Sequence, residues 1–232
     1  MPVAFCHGKI GASGNPWASA SNPHHLTQRG NRRQQTFFGE SDYRLYKQLM
    51  AVWCAQAGVE IWAYCLMPNH VHLIATPRDT QALARAVGEA HRRYTRAVNF
   101  AQGWRGYLWQ GRFASMVLDG AHLHAAVRYV EQNPVRAGLC RQAWRYPWSS
   151  AAAHVAGRDD DLVQVTPLAG LAADWRAYLQ EACSAKELEQ LRQHARTGRP
   201  LGRERFVQRL ESLLGRPLLP RPAGRKPKSV EK

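Results

Sequence analysis

Two neighbouring stretches of the chain, residues 59–67 and 70–76, have the short apolar pattern of β-strands. Only a Pro-Asn pair separates them, and both residue types favour turns, so the two stretches predict a β-hairpin. Two further segments, residues 24–30 and 107–118, also have strand character. The chain therefore contains four predicted strands.

Three longer segments place apolar residues at helical spacing. The first begins at Ser41-Asp42, which suits a helix N-cap, and ends at Gly58. The others cover residues 80–100 and 121–133. The order strand, helix, strand, strand, helix, strand, helix predicts an α+β fold, a ferredoxin-like antiparallel sheet with helices on one face.

The rest of the chain predicts appendages to one main domain. Residues 1–22 are rich in Gly, Ala and Ser without a continuous apolar run, which predicts a flexible N-terminal arm and no signal peptide. The position of the true start codon stays open. We expect the main domain over residues 23–150 and a helical C-terminal extension over residues 151–215. Arginines and lysines among prolines over residues 216–232 predict a disordered basic tail.

The charge balance indicates the kind of partner. The 232 residues include 32 Lys and Arg against 17 Asp and Glu, a formal charge of +15, which favours a protein that neutralises phosphates. No apolar run approaches the roughly 20 residues of a spanning helix, so nucleic acid is a better predicted partner than a membrane. The five cysteines form no C-x-x-C pair, which argues against a cysteine zinc site and favours reduced thiols in a cytoplasmic protein.

Two histidines in the second strand of the hairpin have the spacing of metal ligands. His70 and His72 flank Val71, and residues two apart on a strand project from the same face. They would form half a metal site, although a His-x-His pair taken alone is more often structural. A second pair, His122 and His124, lies in a predicted helix, where positions two apart diverge, so it cannot chelate one ion.

The predicted helix over residues 121–133 carries a tyrosine beside its apolar stripe. Tyr129 lies about 120° around the helix from the stripe, which allows either an amphipathic edge residue or a functional phenol. Asn133, four residues later, shares its face. His122, seven residues earlier, also shares that face, and we expect it to contact substrate.

Four stretches, HLTQRGNRRQ, PNHVHLIATP, LWQGRF and RYVEQNPVRAGL, together resemble the single-tyrosine HUH transposases, particularly the REP-associated tyrosine transposases (REP, repetitive extragenic palindrome). The resemblance covers about residues 24–150. The four motifs in this order are far more specific to the family than any single motif. It implies that His70 and His72 bind a divalent ion, with Asn133 as the third ligand and Tyr129 as the nucleophile. Because Asn133 precedes a proline, which disfavours helical geometry, we expect its side chain to be offset.

This ligand set and the resemblance together define an expected reaction. Two neutral imidazoles and an amide oxygen leave positions open for phosphate oxygens, which suits Mg²⁺ or Mn²⁺ better than a closed zinc site. The resemblance implies that the tyrosine attacks single-stranded DNA at a hairpin, giving a 5′-phosphotyrosine and a free 3′-OH, in a monomer or a homodimer. The candidate DNA contacts are Arg29, Arg32, Arg33 and Arg112, with Trp109 as a stacking platform; the alternatives are surface solubility for the arginines and core packing for the tryptophan.

Other functions fit parts of the sequence. The stretch GRFASMVL resembles the signature of the RNA-recognition motif (RRM), which would make the protein a non-catalytic RRM-like nucleic-acid-binding module, but it lacks that signature's glycine and later aromatics. In a metal phosphoesterase, water rather than Tyr129 would attack. A weaker alternative is a helix-turn-helix repressor formed by the helices after Ala185.

Overall fold

The computed structural model describes residues 22–219, and these residues form one mixed α and β structure. The sheet has four strands in the order β2-β3-β1-β4, and neighbouring strands are antiparallel. Their bounds are β1 (His24–Arg29), β2 (Val59–Met67), β3 (His70–Pro77) and β4 (Ala114–Val117). The helices of the described chain are α1 (Glu40–Ala57), α2 (Ala82–Gln102), α3 (Gly120–Glu131), α4 (Asn133–Arg136), α5 (Ala151–Ala156), α6 (Trp175–Gln180), α7 (Ala185–Thr197) and α8 (Glu204–Leu214).

The topology confirms the predicted ferredoxin-like arrangement. The turn between β2 and β3 pairs Met67 with His70, so the hairpin is as tight as its Pro-Asn connection predicts. β1 lies between β3 and β4 and pairs with both. The α+β class and the antiparallel sheet predicted from the hydrophobic pattern are therefore confirmed.

The helices α1 and α2 cover one face of the sheet, as predicted. Leu26, Val71 and Leu73 are buried on this face, in one core with Tyr46 of α1 and Tyr94 of α2. These strand residues alternate with the histidines of β3, because successive side chains of a strand point to opposite faces. The core under α1 and α2 therefore leaves His70 and His72 on the other side of the sheet.

Helices also cover the second face. Ile74 and Met116 are buried there with Val127 and Val130 of α3, and Trp175 from the C-terminal extension joins the same core. The extension is thus packed onto the sheet through a shared hydrophobic core. The division of the chain into a domain at 23–150 and an extension at 151–215 stays a prediction.

The fourth strand is shorter than predicted. The continuous strand covers Ala114–Val117, whereas the prediction covered residues 107–118. Before it, Trp109 makes an isolated antiparallel bridge with Gly30, and the Gln110 amide donates to the Arg29 carbonyl of β1 at 2.9 Å. The preceding residues form a loop in which Gly106 adopts a φ of 96°, a left-handed conformation that favours glycine. The Trp109 side chain is buried and its ring stacks on His91 of α2, with centroids 4.8 Å apart. The pairing with β1 is interrupted at residues 111–113, where the Gln28 side chain donates to the Gly111 carbonyl at 2.7 Å.

The predicted ends of the chain fall mostly outside the described residues. The N-terminal arm is outside them except for Asn22, and so are Cys6 and residues 220–232 of the predicted tail. In the described part of this segment, Leu218 is buried against Val207 and Leu210 of α8, and the tail stays a prediction. The other four cysteines are free. No helix within residues 22–219 is both long and apolar enough to cross a membrane.

Candidate active site

His70 and His72 project together from β3 toward α3, as their spacing predicts. Their ring centroids are 5.1 Å apart with the planes at 80°. His72 is buried at 6% exposure, whereas His70 at the start of the strand is partly exposed. The pair therefore has one protected member and one that solvent or a substrate can reach.

Asn69 determines which nitrogen of His70 carries the proton. The Asn69 Nδ2 donates to the backbone carbonyl of Arg33 at 3.1 Å, which turns the amide oxygen toward the imidazole. That oxygen lies 2.6 Å from His70 Nδ1 and can only accept a hydrogen bond, so Nδ1 must carry the hydrogen. In the neutral ring, Nε2 then keeps a free lone pair. Asn69 was not predicted as a site residue, although it directly precedes the His-x-His pair.

A third histidine, His25 of β1, joins the pair and was also missed by the sequence analysis. Its Nε2 lies 2.9 Å from His72 Nδ1, and the two rings are stacked with centroids 5.2 Å apart. His25 pairs with Ile74 across the sheet, which places it one diagonal step from His72. Only the register of β1 against β3 shows this contact, so local spacing gave no signal for it.

Burial keeps the three imidazoles neutral at neutral pH. It lowers the pKa of His70 to about 4, with a further contribution from the Arg29 guanidinium. Burial also lowers the pKa of His25 to about 3 and moves the pKa of His72 well below its ordinary value, an effect that His25 and His70 reinforce. Neutral imidazoles are the form that binds metal ions.

Tyr129 of α3 packs against this histidine cluster within the same chain. Its ring centroid is 5.7 Å from that of His72 and 5.9 Å from that of His25, in edge-on geometry in both cases. Arg136 makes a second contact with this tyrosine. Its guanidinium group lies 4.3 Å from the centre of the phenol ring and donates a hydrogen bond to the Tyr129 backbone carbonyl at 2.5 Å. The phenol is therefore held between the histidines and a cation.

The position of α3 depends on a buried carboxylate two residues after the tyrosine. Glu131 is fully buried and accepts from Ser150 Oγ at 2.5 Å and from Trp175 Nε1 at 3.0 Å, and it pairs with His154 Nδ1 at 2.6 Å. These partners come from the chain after α4, so the C-terminal extension helps to fix α3. The apolar stripe of α3 is buried as predicted.

Asn133 remains associated with the backbone of α3. The helix ends at Glu131, and a short new turn, α4, begins at Asn133 with Pro134 next to its start. The Asn133 Nδ2 donates to the carbonyls of Tyr129 at 3.2 Å and Val130 at 3.4 Å. Since the nitrogen is engaged in this way, the amide oxygen is the atom that could serve as a ligand.

The predicted metal ligands are the two imidazoles of His70 and His72 and the amide of Asn133. Within residues 22–219, no group of three or more His, Cys, Asp or Glu side chains could hold a metal ion. The candidate set differs because its third member, Asn133, is an amide. The free Nε2 lone pair of His70 and the neutral state of His72 both fit a divalent ion that keeps open coordination positions.

An open cleft of about 430 Å³ lies beside His70, and Arg33, Asn69 and Leu139 are among its lining residues. Two of the predicted DNA contacts border the site: Arg29 pairs directly with His70 across the sheet, and Arg33 lines the cleft. The cleft therefore has a basic edge next to the histidines.

The turn Asn31–Arg33 presents its arginines in an unusual backbone conformation. Arg32 and Arg33 have φ of 51° and 63°, in the left-handed region that non-glycine residues rarely adopt. The preceding residue must be glycine, because a Cβ on Gly30 would lie 2.3 Å from the carbonyl oxygen of Gln34. Both arginines are exposed.

The remaining predicted contacts lie elsewhere. Trp109 is in the core between α1 and α2, which matches the packing alternative and not a stacking platform. His122 lies at the start of α3, where its Nδ1 contacts Asp119 at 2.6 Å, about 10 Å of helix rise from Tyr129. Arg112 is exposed in the loop before β4, where Gln28 of β1 donates to the carbonyl of Gly111.

The family model described as "Transposase IS200 like" matches residues 20–133. This part of the chain belongs to the IS200-like transposase family. The matched residues include β1 to β4 and α3, and with them His70, His72, Tyr129 and Asn133. Every residue of the predicted metal and nucleophile set therefore lies inside the transposase region of the chain.

Comparison with solved structures agrees with this assignment at the level of the fold. A structure described as a REP-associated tyrosine transposase bound to a REP hairpin matches with a TM-score of 0.53 and 22% identity, covering 66% of this chain and 93% of the other. A second, described as a candidate transposase from Deinococcus radiodurans R1, has 25% identity over 48% of this chain and 90% of the other, but its TM-score of 0.35 is too low to support a comparison. No curated protein sequence matches the chain.

Proposed function

We propose that this transposase is a metal-dependent endonuclease and strand transferase for single-stranded DNA at a hairpin, with Tyr129 as its nucleophile. The observation that carries the proposal is the packing of the Tyr129 ring on His72, at 5.7 Å, in a cluster where His70 keeps a free ring nitrogen. A phenol beside neutral imidazoles is the arrangement expected of a nucleophile next to a metal site. It is formed within one chain.

Some residues of the site would bind the metal ion, and others orient those ligands. His70 and His72 would hold Mg²⁺ or Mn²⁺ through ring nitrogens, and Asn133 through its amide oxygen. A bound ion would polarise the scissile phosphate and offset charge on the leaving oxygen. For His72 to use Nε2, its Nδ1 must donate to His25, so His25 acts as the residue that orients this ligand.

The reaction of Tyr129 exchanges one phosphate ester for another. The phenol oxygen bonds to phosphorus and its proton passes to solvent, while the bond from phosphorus to the 3′-oxygen breaks and that oxygen takes up a proton. The products are a 5′-phosphotyrosine and a free 3′-OH. Because the phosphotyrosine keeps the ester bond, a second 3′-OH can reverse the step without ATP.

The substrate assignment rests on charge and on the cleft. The formal charge of +15 suits a polyphosphate ligand, and Arg29 and Arg33 place part of that charge beside His70. The solved structure with the same fold is described as bound to a REP hairpin. We propose hairpin DNA with a single-stranded flank as the ligand of this chain as well.

An RRM-like binding module is less consistent with this fold. RRM domains stack bases on aromatic residues of an open sheet face. Here, within residues 22–219, α1 and α2 cover one face and α3 with the C-terminal helices covers the other. A bound strand would therefore contact the sheet only at its edge and ends.

A labelled hairpin oligonucleotide with a single-stranded flank tests the proposal. With Mg²⁺ or Mn²⁺, we expect wild-type protein to form a complex that survives denaturant and Tyr129→Phe to form none, because phenylalanine has no nucleophilic oxygen. Tyr178→Phe is the matched control: Tyr178 bonds the His124 carbonyl on another side of α3, and this variant should retain the adduct. Cleavage by Tyr129→Phe would favour attack by water, and tight binding without cleavage by wild-type protein would favour a binding module.

A further inference from the structure

Four aromatic side chains of the described chain are more than a third exposed; three of them lie within residues 100–107, and the fourth contacts one of these three. They are Phe38 before α1, Phe100 in α2, and Trp104 and Tyr107 in the loop after α2, with exposed fractions of 38%, 90%, 41% and 87%. Phe38 and Trp104 are in edge-on contact, with ring centroids 5.5 Å apart. We call these four residues the aromatic patch. The exposed aliphatic residues belong to other elements, such as Val52 in α1 and Leu213 in α8.

The loop that carries Trp104 and Tyr107 is tied to the end of α2. Asn99 accepts from the Trp104 amide through its carbonyl at 2.8 Å, and its side chain donates to the Gly106 carbonyl at 2.9 Å. Gly103 and Gly106 allow the turn through φ of 66° and 96°. The two rings are thus displayed by a hydrogen-bonded loop while remaining outside the core.

Arginines accompany the rings. Arg105 lies between the two loop aromatics in sequence, and Arg96 precedes Phe100 by one helical turn, so the two share a helix face. Both arginines are exposed. Proteins that bind single-stranded nucleic acid stack unpaired bases on exposed aromatic rings, because every base has a π-face. Arginines near the rings can pair with the negatively charged phosphates and stack on the bases.

The patch is connected to the edge of the candidate active site. The loop residue Leu108 accepts from the Asn31 amide at 2.7 Å, and Gln110 donates to the Arg29 carbonyl at 2.9 Å. The Gly30 amide, next to Asn31 in the chain, donates to the backbone carbonyl of Asn69, whose side chain is hydrogen-bonded to His70. The loop that carries Trp104 and Tyr107 therefore continues directly into residues that are hydrogen-bonded to β1 and to the Asn31–Arg33 turn.

We propose that the aromatic patch is a second DNA contact, on which unpaired bases flanking the hairpin stack. This rests on the proposed function, because it takes the single-stranded flank of the same substrate as its ligand. The patch increases the affinity of the protein for the single-stranded flank, and this contribution does not depend on base pairing. Stacking of this kind tolerates different base sequences.

Removal of the two most exposed rings tests the patch. We expect the double variant Phe100→Ala/Tyr107→Ala to bind a flanked hairpin at least about tenfold more weakly than wild-type protein, since each stacked base contributes about 1–3 kcal/mol. Binding to the same hairpin without a flank should not change. The matched control is Val52→Ala/Leu213→Ala, which removes two exposed apolar side chains elsewhere and should bind both DNAs as wild-type protein does. Fluorescence anisotropy of labelled DNA gives the affinities.

Two further measurements separate this inference from the proposed function. At saturating flanked DNA, the patch variant should form the covalent adduct as wild-type protein does, and Tyr129→Phe should keep its affinity for the flank. Equal affinities of wild-type and patch variant for flanked DNA would overturn the patch proposal and leave the adduct result standing. Unchanged DNA affinity with altered self-association in sedimentation would assign the patch to a protein interface and overturn it equally. A missing adduct in wild-type protein, with the flank effect intact, would overturn only the proposed function.

Discussion

Asn69 and His25 show which parts of the site can be found from single residues and their spacing. The histidine pair was predictable because strand periodicity alone brings His70 and His72 to one face, and Tyr129 was singled out by its angle from an apolar stripe. Asn69 acts through the direction of its amide, which depends on a bond to Arg33 across the turn. His25 contacts His72 only through the register of two strands. The direction of the Asn69 amide and the contact of His25 therefore both depend on residues that are far apart in sequence.

At the residue scale, loss of the Asn69 amide should weaken metal binding. In Asn69→Ala, His70 Nδ1 loses its acceptor, so the proton is no longer confined to that nitrogen and Nε2 is less available to a metal. We expect the Mn²⁺ concentration for half-maximal cleavage to rise by roughly ten- to a hundredfold, the usual cost of removing such a partner. Asn69→Asp keeps an oxygen acceptor and should stay closer to wild type. An unchanged Mn²⁺ requirement in the alanine variant would show that Asn69 does not orient His70.

At the element scale, α3 illustrates a helix whose existence was predictable and whose anchoring was not. Its apolar stripe packs as predicted, and Asp119 caps its start by accepting from the His122 amide. Its other end is held by Glu131, whose partners Ser150 and Trp175 are 19 and 44 residues further along the chain. The strand before α3 was predicted as continuous over residues 107–118, but its pairing with β1 is interrupted at residues 111–113, where Gln28 donates to the Gly111 carbonyl.

Glu131→Ala should destabilise the protein strongly, because it leaves the Ser150, His154 and Trp175 donors buried without their acceptor. We expect a loss of about 3–5 kcal/mol in the free energy of unfolding, measured by urea denaturation. Glu189→Ala on the exposed face of α7 is the matched control and should change it by less than about 0.5 kcal/mol. A loss below about 1 kcal/mol for Glu131→Ala would mean that this network does not anchor α3.

At the scale of the whole molecule, the α+β class and the antiparallel sheet followed from the order of hydrophobic patterns along the chain, but the covering of both sheet faces did not. The C-terminal helices are short, and their own periodicity does not indicate what they pack against. Trp175 and Leu191 bury on the face that carries α3 and thus support the helix of the proposed nucleophile. Buried histidines are the other global feature, since His24 and His91 lie in the interior away from the proposed metal ligands.

These buried histidines should make the protein sensitive to acid. Burial lowers the pKa of His24 to about 4 and of His91 to about 3, so the unfolded chain takes up protons below pH 6.5 while the folded chain does not. Stability is thus fully present above pH 6.5 and falls as pH drops, by about 1.4 kcal/mol per pH unit for each histidine. Urea unfolding between pH 7 and pH 5 measures the slope, and His91→Gln should reduce it by one histidine's share. A slope that His91→Gln leaves unchanged would contradict this assignment.

The most direct test is to identify the residue that becomes attached to DNA. Wild-type protein is incubated with a flanked hairpin and Mn²⁺, digested with protease and nuclease, and analysed by mass spectrometry for a peptide that carries a nucleotide phosphate. The proposed mechanism predicts one modified peptide, with the phosphate on the Tyr129 oxygen and a free 3′-OH on the other product. A phosphate attached to any other residue, or a cut strand released with a free 5′-phosphate and no modified peptide, would contradict it.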